Sequence, residues 1–111
     1  MSSATERRRL STAPGAQIPY ATADVRLAEP LHARAAAAVV ELTSSLAARI
    51  TVSRGWEPGQ PADARSVLAL LALRLGEGEM ARIEAYGDDA ERAVASVAAM
   101  LARGGTIAAH E

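Results

Sequence analysis

Tyr20-Ala21-Thr22-Ala23-Asp24-Val25-Arg26-Leu27, a break at Glu29-Pro30, and then Leu31-His32-Ala33-Arg34-Ala35-Ala36-Ala37-Ala38-Val39-Val40 form the stretch on which the reading of this chain turns. In the first part Ala21, Ala23, Val25 and Leu27 alternate with Tyr20, Thr22, Asp24 and Arg26. That period of two is the pattern of a half-buried strand. Pro30 lacks an amide donor and restricts Glu29 to extended conformations, so the strand gives way here to a loop. From Ala33 to about Ala47 the chain is rich in alanine, and Val39, Thr43 and Leu46 fall at helical spacing beside Val40 and Leu42. The stretch therefore predicts a strand, a stiffened break and a helix, with a histidine at the junction.

Further along, Arg49-Ile50-Thr51-Val52-Ser53 alternates again and predicts a second strand. Gly55-Trp56-Glu57-Pro58-Gly59-Gln60-Pro61 is dense in turn residues, and a returning strand is expected through Ala62 to Ala64. Val67 to Leu73 is an apolar run that periodicity alone leaves open between buried strand and helix, but the preceding Ser66 favours a helix start. Gly76 and Gly78 mark its exit, and Met80 to Tyr86 alternates as the last strand. The final helix is expected to be capped by Asp88 with Glu91 three positions on, to bury Val94, Val97, Ala98 and Leu101, and to stop at Gly104. The order strand, helix, strand, strand, helix, strand, helix is an α+β arrangement, with helices covering one face of a largely antiparallel sheet.

The flanks contribute less. Residues 1–18 are rich in Ser, Thr, Ala, Pro and Gly without a sustained period and are expected to form a flexible extension. Residues 19–104 are expected to form the domain, and residues 105–111 a short tail. Arg7-Arg8-Arg9 is followed by no apolar stretch resembling a signal-peptide core, no membrane-spanning segment is visible, and a cytoplasmic location is expected.

At 111 residues the chain has room for one modest core, and with 50% hydrophobic but only 3% aromatic residues that core must be built from Ala, Val, Leu and Ile. The absence of Cys removes disulfide scaffolds, thiol nucleophiles and cysteine metal sites. A net charge of −1 argues against a protein whose main task is to grip nucleic acid. No Ser-His-Asp constellation or metal-ligand spacing supports a stand-alone hydrolase, and neither metal nor cofactor is expected.

Three blocks of the sequence, in order, resemble one family. Leu31-His32-Ala33-Arg34 with its alanine-rich helix is similar to the phosphorylation-site signature of the HPr-type phosphocarriers of the phosphoenolpyruvate-dependent phosphotransferase system. Ala64-Arg65-Ser66-Val67-Leu68 looks like that family's second-helix motif, and Gly87-Asp88-Asp89-Ala90-Glu91 resembles its entry into the last helix. The resemblance implies an open-faced sandwich, a four-stranded antiparallel sheet with three helices on one face, and an exposed histidine beside the first helix. It further implies a monomeric carrier that accepts a phosphoryl group on His32 from an Enzyme I-type donor and passes it to an A-type acceptor domain.

The chemistry of the residues agrees with that implication. A neutral imidazole has a lone pair that can attack phosphorus near physiological pH. If His32 sits just before the helix, the amides of Ala33 and Arg34 point toward the added group and the helix dipole favours its charge. Arg34 adds a planar set of donors for phosphoryl oxygens. Ser66 matches a serine that some members use as a regulatory phosphorylation site, and it is equally a natural helix cap. The docking face implied by the resemblance combines His32 and Arg34 with Ala37, Val67, Leu68 and Leu71.

Departures from the family pattern are informative. Ala35 occupies the place of a common proline after the arginine, and Pro30 stands where glycine is usual. Proline at position 35 would stiffen the first helical turn, whereas Pro30 is expected to stiffen the loop from the other side. Sugar-transport members tend to carry lysines around the docking face. This chain has Glu41, Ser44 and Ala69 there and no Lys anywhere, which points to the nitrogen-related branch. The same departures motivate an alternative: a regulatory interaction module with the fold but without efficient relay. Trp56, in the enlarged loop, is expected to pack on the sheet, with contact to a partner as the other reading.

Overall fold

The computed structural model describes residues 20–55 and 59–103. The expected N-terminal extension, Trp56, the stop at Gly104 and the C-terminal tail lie outside the described residues. Strand β1 spans Tyr20–Arg26, helix α1 Ala33–Thr43, β2 Arg49–Arg54, β3 Ala62–Asp63, α2 Val67–Ala72, β4 Met80–Tyr86 and α3 Ala90–Ala102. The four strands form one antiparallel sheet in the order β1-β4-β2-β3. The last strand in sequence therefore lies inside the sheet, with Ile83 opposite Ala23 on one side and Val52 on the other.

Alternation decides which face each strand buries. Ile50, Val52, Ala81, Ile83 and Ala85 are fully enclosed beneath the helices, where they join Val39 of α1, Leu70 of α2 and Val97 and Leu101 of α3 in a single core. With no phenylalanine and so many alanines in the core, helices and sheet approach closely. The opposite face of the sheet is polar. Arg82 donates to both carboxylate oxygens of its cross-strand partner Asp24 at 2.8 and 3.2 Å, and this guanidinium holds the Asp24 carboxyl below its ordinary range. Tyr20 and Tyr86, also paired, bring their ring centroids to 4.9 Å where β1 begins and β4 ends.

Two element ends differ from the expectation. Helix α1 stops at Thr43 rather than near Ala47. The Thr43 side chain is fully buried and its hydroxyl donates at 2.9 Å to the carbonyl of Ala64, while the hydroxyls of Ser44 and Ser45 turn back onto the carbonyls of Glu41 and Leu42. Three consecutive hydroxyls that bond elsewhere compete with continuation of the helix.

At the start of α3 the cap position belongs to Asp89, not Asp88, and no side chain supplies a capping bond. Gly87 at φ 107° and Asp89 at φ 69° turn the chain so tightly that the amide of Ala90 bonds the carbonyl of Gly87 at 3.1 Å. An aspartate tolerates this left-handed conformation better than most residues. Glu91 still lies in the first turn, where its charge suits the helix dipole.

Candidate functional site

His32 is the cap residue of α1. Its backbone is extended, with φ −91° and ψ −174°, and its carbonyl accepts the first helical bond from Ala36 at 2.9 Å. The side chain completes the cap: Nδ1 accepts the backbone N–H of Arg34 at 3.2 Å. A histidine thus performs the task usually given to Ser, Asp or Asn. The ring nitrogen that caps the helix points into its positive end, while the side chain is 47% exposed and open to a reacting partner. The other ring nitrogen, Nε2, lies 3.5 Å from Oε1 of Glu29.

The loop that carries His32 is fastened by backbone bonds on two sides. Leu27 donates to the carbonyl of Glu79 and accepts from Gly78, both at 2.9 Å, and Leu31 donates to Leu75 at 2.9 Å. Ala28 reaches the carbonyl of Leu101, near the end of α3, at 3.3 Å. Within the loop the amide of His32 turns back to the carbonyl of Pro30 at 2.8 Å. Buried Leu27, Leu31 and Leu75 anchor the loop and its neighbour in the core.

The neighbouring loop, residues 74–79, is held in turn by one carboxylate. Glu79 accepts the amide of Gly76 at 2.7 Å and a guanidinium nitrogen of Arg54 at 2.9 Å, while Arg54 also donates to the carbonyl of Leu73 at 2.7 Å. These bonds, the Gly76 amide first and Arg54 second, hold the Glu79 carboxyl below its ordinary range.

The remaining expected site residues fall into three groups. Ala33 and Arg34 form the first turn of α1 beside the ring, and among the described residues the Arg34 guanidinium has no hydrogen-bond or ion-pair partner. Ser66 caps α2, its hydroxyl accepting the amide of Ala69 at 3.1 Å, and among the described residues no bond links it to His32 or Arg34. Of the residues expected to form the docking face, Ala37 is exposed and Leu68 stands 79% exposed, whereas Val67 and Leu71 are half-buried against the core.

A family model described as the PTS HPr component phosphorylation site matches residues 20–103, the whole described fold. The chain belongs to the HPr family of the phosphotransferase system. This HPr-family chain is 34% identical over 80 residues to the multiphosphoryl transfer protein of Salmonella typhimurium, a match that covers 72% of the chain but spans only 21% of that protein's length. It is 38% identical over 71 residues to phosphocarrier protein NPr of Shewanella violacea, covering 64% of the chain and 75% of the relative. Among solved structures, phosphocarrier protein HPr from Bacillus anthracis superposes with a TM-score of 0.64 at 30% identity, covering 76% of this chain and 96% of that one. The four-stranded sheet with three helices on one face is thus the HPr fold, and the family's general role is that of a phosphocarrier.

The site includes residues that the sequence did not single out. Glu29 counted only as half of a strand break, although its spacing of three from His32 was the available signal. Leu75 and the Arg54–Glu79 pair carried none, because their contact with the His32 loop arises from tertiary folding.

Proposed function

We propose that this protein accepts a phosphoryl group on Nδ1 of His32 from an Enzyme I-type donor and passes it to an A-type acceptor domain. The observation that carries the reading is the His32 cap. Nδ1 accepts an amide proton, so its lone pair is free of a proton and directed at the helix terminus. When that lone pair forms the bond to phosphorus, the Arg34 amide loses its nitrogen acceptor and gains phosphoryl oxygens in its place. The amide of Ala33, the helix dipole and the Arg34 guanidinium, which has no partner among the described residues, add to the same field. Ala35 retains the backbone N–H that a proline there would lack.

Exposed Leu68 and Ala37, flanked by Val67 and Leu71, supply the apolar part of the docking face. Glu41, Ser44 and Ala69 leave that face without lysines, which supports a regulatory relay of the nitrogen-related branch in the cytoplasm. Similarity to an NPr protein supports the same assignment. Ser66 acts in this reading as the cap of α2.

The test is incubation with phosphoenolpyruvate and the Enzyme I-type protein of the same organism, followed by intact-mass measurement under conditions that preserve phosphohistidine. Wild type gains one phosphoryl group and His32→Ala gains none. Labelling that persists in His32→Ala overturns the assignment. An unlabelled wild type supports the regulatory module instead.

A further inference from the structure

We propose that Glu29 is a positioning residue for the His32 ring, one that holds the ring proton on Nε2 and stabilises the charge the ring acquires on phosphorylation; the proposal rests on the reading of His32 given above. The two ring nitrogens face opposite kinds of partner. Nδ1 lies 3.2 Å from an amide nitrogen, which only donates, whereas Nε2 lies 3.5 Å from a carboxylate oxygen, which only accepts. Both contacts select the tautomer with Nδ1 bare and Nε2 protonated. At 3.5 Å the carboxylate acts chiefly through its charge.

The placement is built into the loop. Pro30 disfavours the helical conformation at Glu29, the Pro30 carbonyl holds the His32 amide at 2.8 Å, and Leu31, between Pro30 and His32, is buried with its amide on Leu75. The short link from carboxylate to ring is therefore fixed at both of its interior residues. Among the described residues, Glu29 is the only one whose carboxylate lies within ion-pair distance of a ring nitrogen.

In the transfer step the Nδ1 lone pair forms a bond to phosphorus as the donor's bond to phosphorus breaks, with the electron pair of that bond remaining on the donor. Nε2 keeps its proton throughout, so the neutral ring becomes a phosphoimidazolium. Onward transfer reverses the change. Glu29 thus faces a neutral ring before the step and a cation after it, and its charge favours the phosphorylated state. The anionic phosphoryl group is attached at the other nitrogen, beside the helix terminus. An exposed pair of this kind corresponds to about a two- to fivefold effect on an equilibrium.

Glu29→Gln preserves the shape and removes the charge. In the full-length, nitrogen-15-labelled protein at neutral pH, the ring nitrogen shifts of His32, assigned by comparison with His32→Ala, report the tautomer. The Nδ1–H fraction is expected to rise about two- to fivefold in Glu29→Gln, and the equilibrium extent of phosphorylation by a limiting Enzyme I-type donor to fall by a similar factor, with the melting temperature unchanged. An unchanged tautomer ratio, or phosphorylation of the variant as extensive as that of wild type, overturns the proposal. A shifted ratio in a protein whose wild type takes no phosphate supports the Glu29 contact and refutes only the reading of His32 as a carrier.

Discussion

Replacing Thr43 by valine probes the joint between the first two helices. The side chain is fully buried at the last position of α1, and its hydroxyl donates at 2.9 Å to the carbonyl of Ala64, which leads through Arg65 to the Ser66 cap of α2. Valine fills nearly the same volume without the hydroxyl, so packing is preserved and the Ala64 carbonyl loses a donor inside the protein. A buried group left without its partner costs roughly 1–3 kcal/mol. Removal of the buried hydroxyl itself offsets part of this, leaving a net loss of about 1–2 kcal/mol. For a domain of this size that corresponds to a fall in Tm of about 5–15 °C. Thermal and urea unfolding followed by circular dichroism measure it, with Thr43→Ser as the variant that keeps the hydroxyl. A valine protein as stable as wild type would refute the claim that this bond joins the helices.

Three further outcomes are expected. Glu79→Gln should flatten the acid limb of the stability curve: the folded carboxyl is held below its ordinary value, so its contribution is present above the unfolded-state value of about 4.3 and is lost as the pH falls through the lower folded value. Urea midpoints measured from neutral to acid pH check this, and parallel curves for the two proteins would contradict it. Asp88→Ala should change stability by less than about 0.5 kcal/mol, whereas loss of a working cap would cost about 1 kcal/mol, a difference that urea denaturation resolves. Leu68→Ser should leave stability within about 0.5 kcal/mol because the side chain is largely exposed, yet slow labelling by an Enzyme I-type donor by roughly tenfold if Leu68 anchors docking.

The parts of this fold that were legible in the sequence are those set by neighbours along the chain. Alternation in Tyr20 to Arg26, Arg49 to Ser53 and Met80 to Tyr86 identified three strands, and Ser66 correctly resolved the ambiguity of Val67 to Leu73 in favour of a helix. Strand order is not legible by periodicity, since nothing local says that β4 inserts between β1 and β2; the family resemblance implies the four-stranded antiparallel sheet, and the structure gives its order. The end of α1 is not legible because the partner of Thr43 lies 21 residues away. The cap of α3 falls one residue beyond the expected Asp88 because a left-handed Asp89 is a backbone solution, not a side-chain one. His32 and Arg34 were legible as a motif, but the direction of each ring nitrogen was not. That required the extended backbone of the cap and the fold of the loop before it.

Pro30 restricts the His32 loop on its entering side, while Ala35 leaves the first helical turn without a proline ring. A proline in place of Ala35 would reduce the freedom of the unfolded chain by an amount typically worth about 0.4–1 kcal/mol. The His32 loop has Pro30 on its entering side and four backbone hydrogen bonds to its surroundings, through Leu27, Ala28, Leu31 and Gly78. The consequence is that rigidity of the site is shared with residues distant in sequence. Three of those bonds end on residues 75–79, and that loop keeps its shape because Glu79 ties the Gly76 amide to Arg54, which in turn holds Leu73. A continuous series of contacts thus runs from β2 through the 74–79 loop to the loop before α1, and a substitution at Arg54 or Glu79 is expected to loosen the site without touching it.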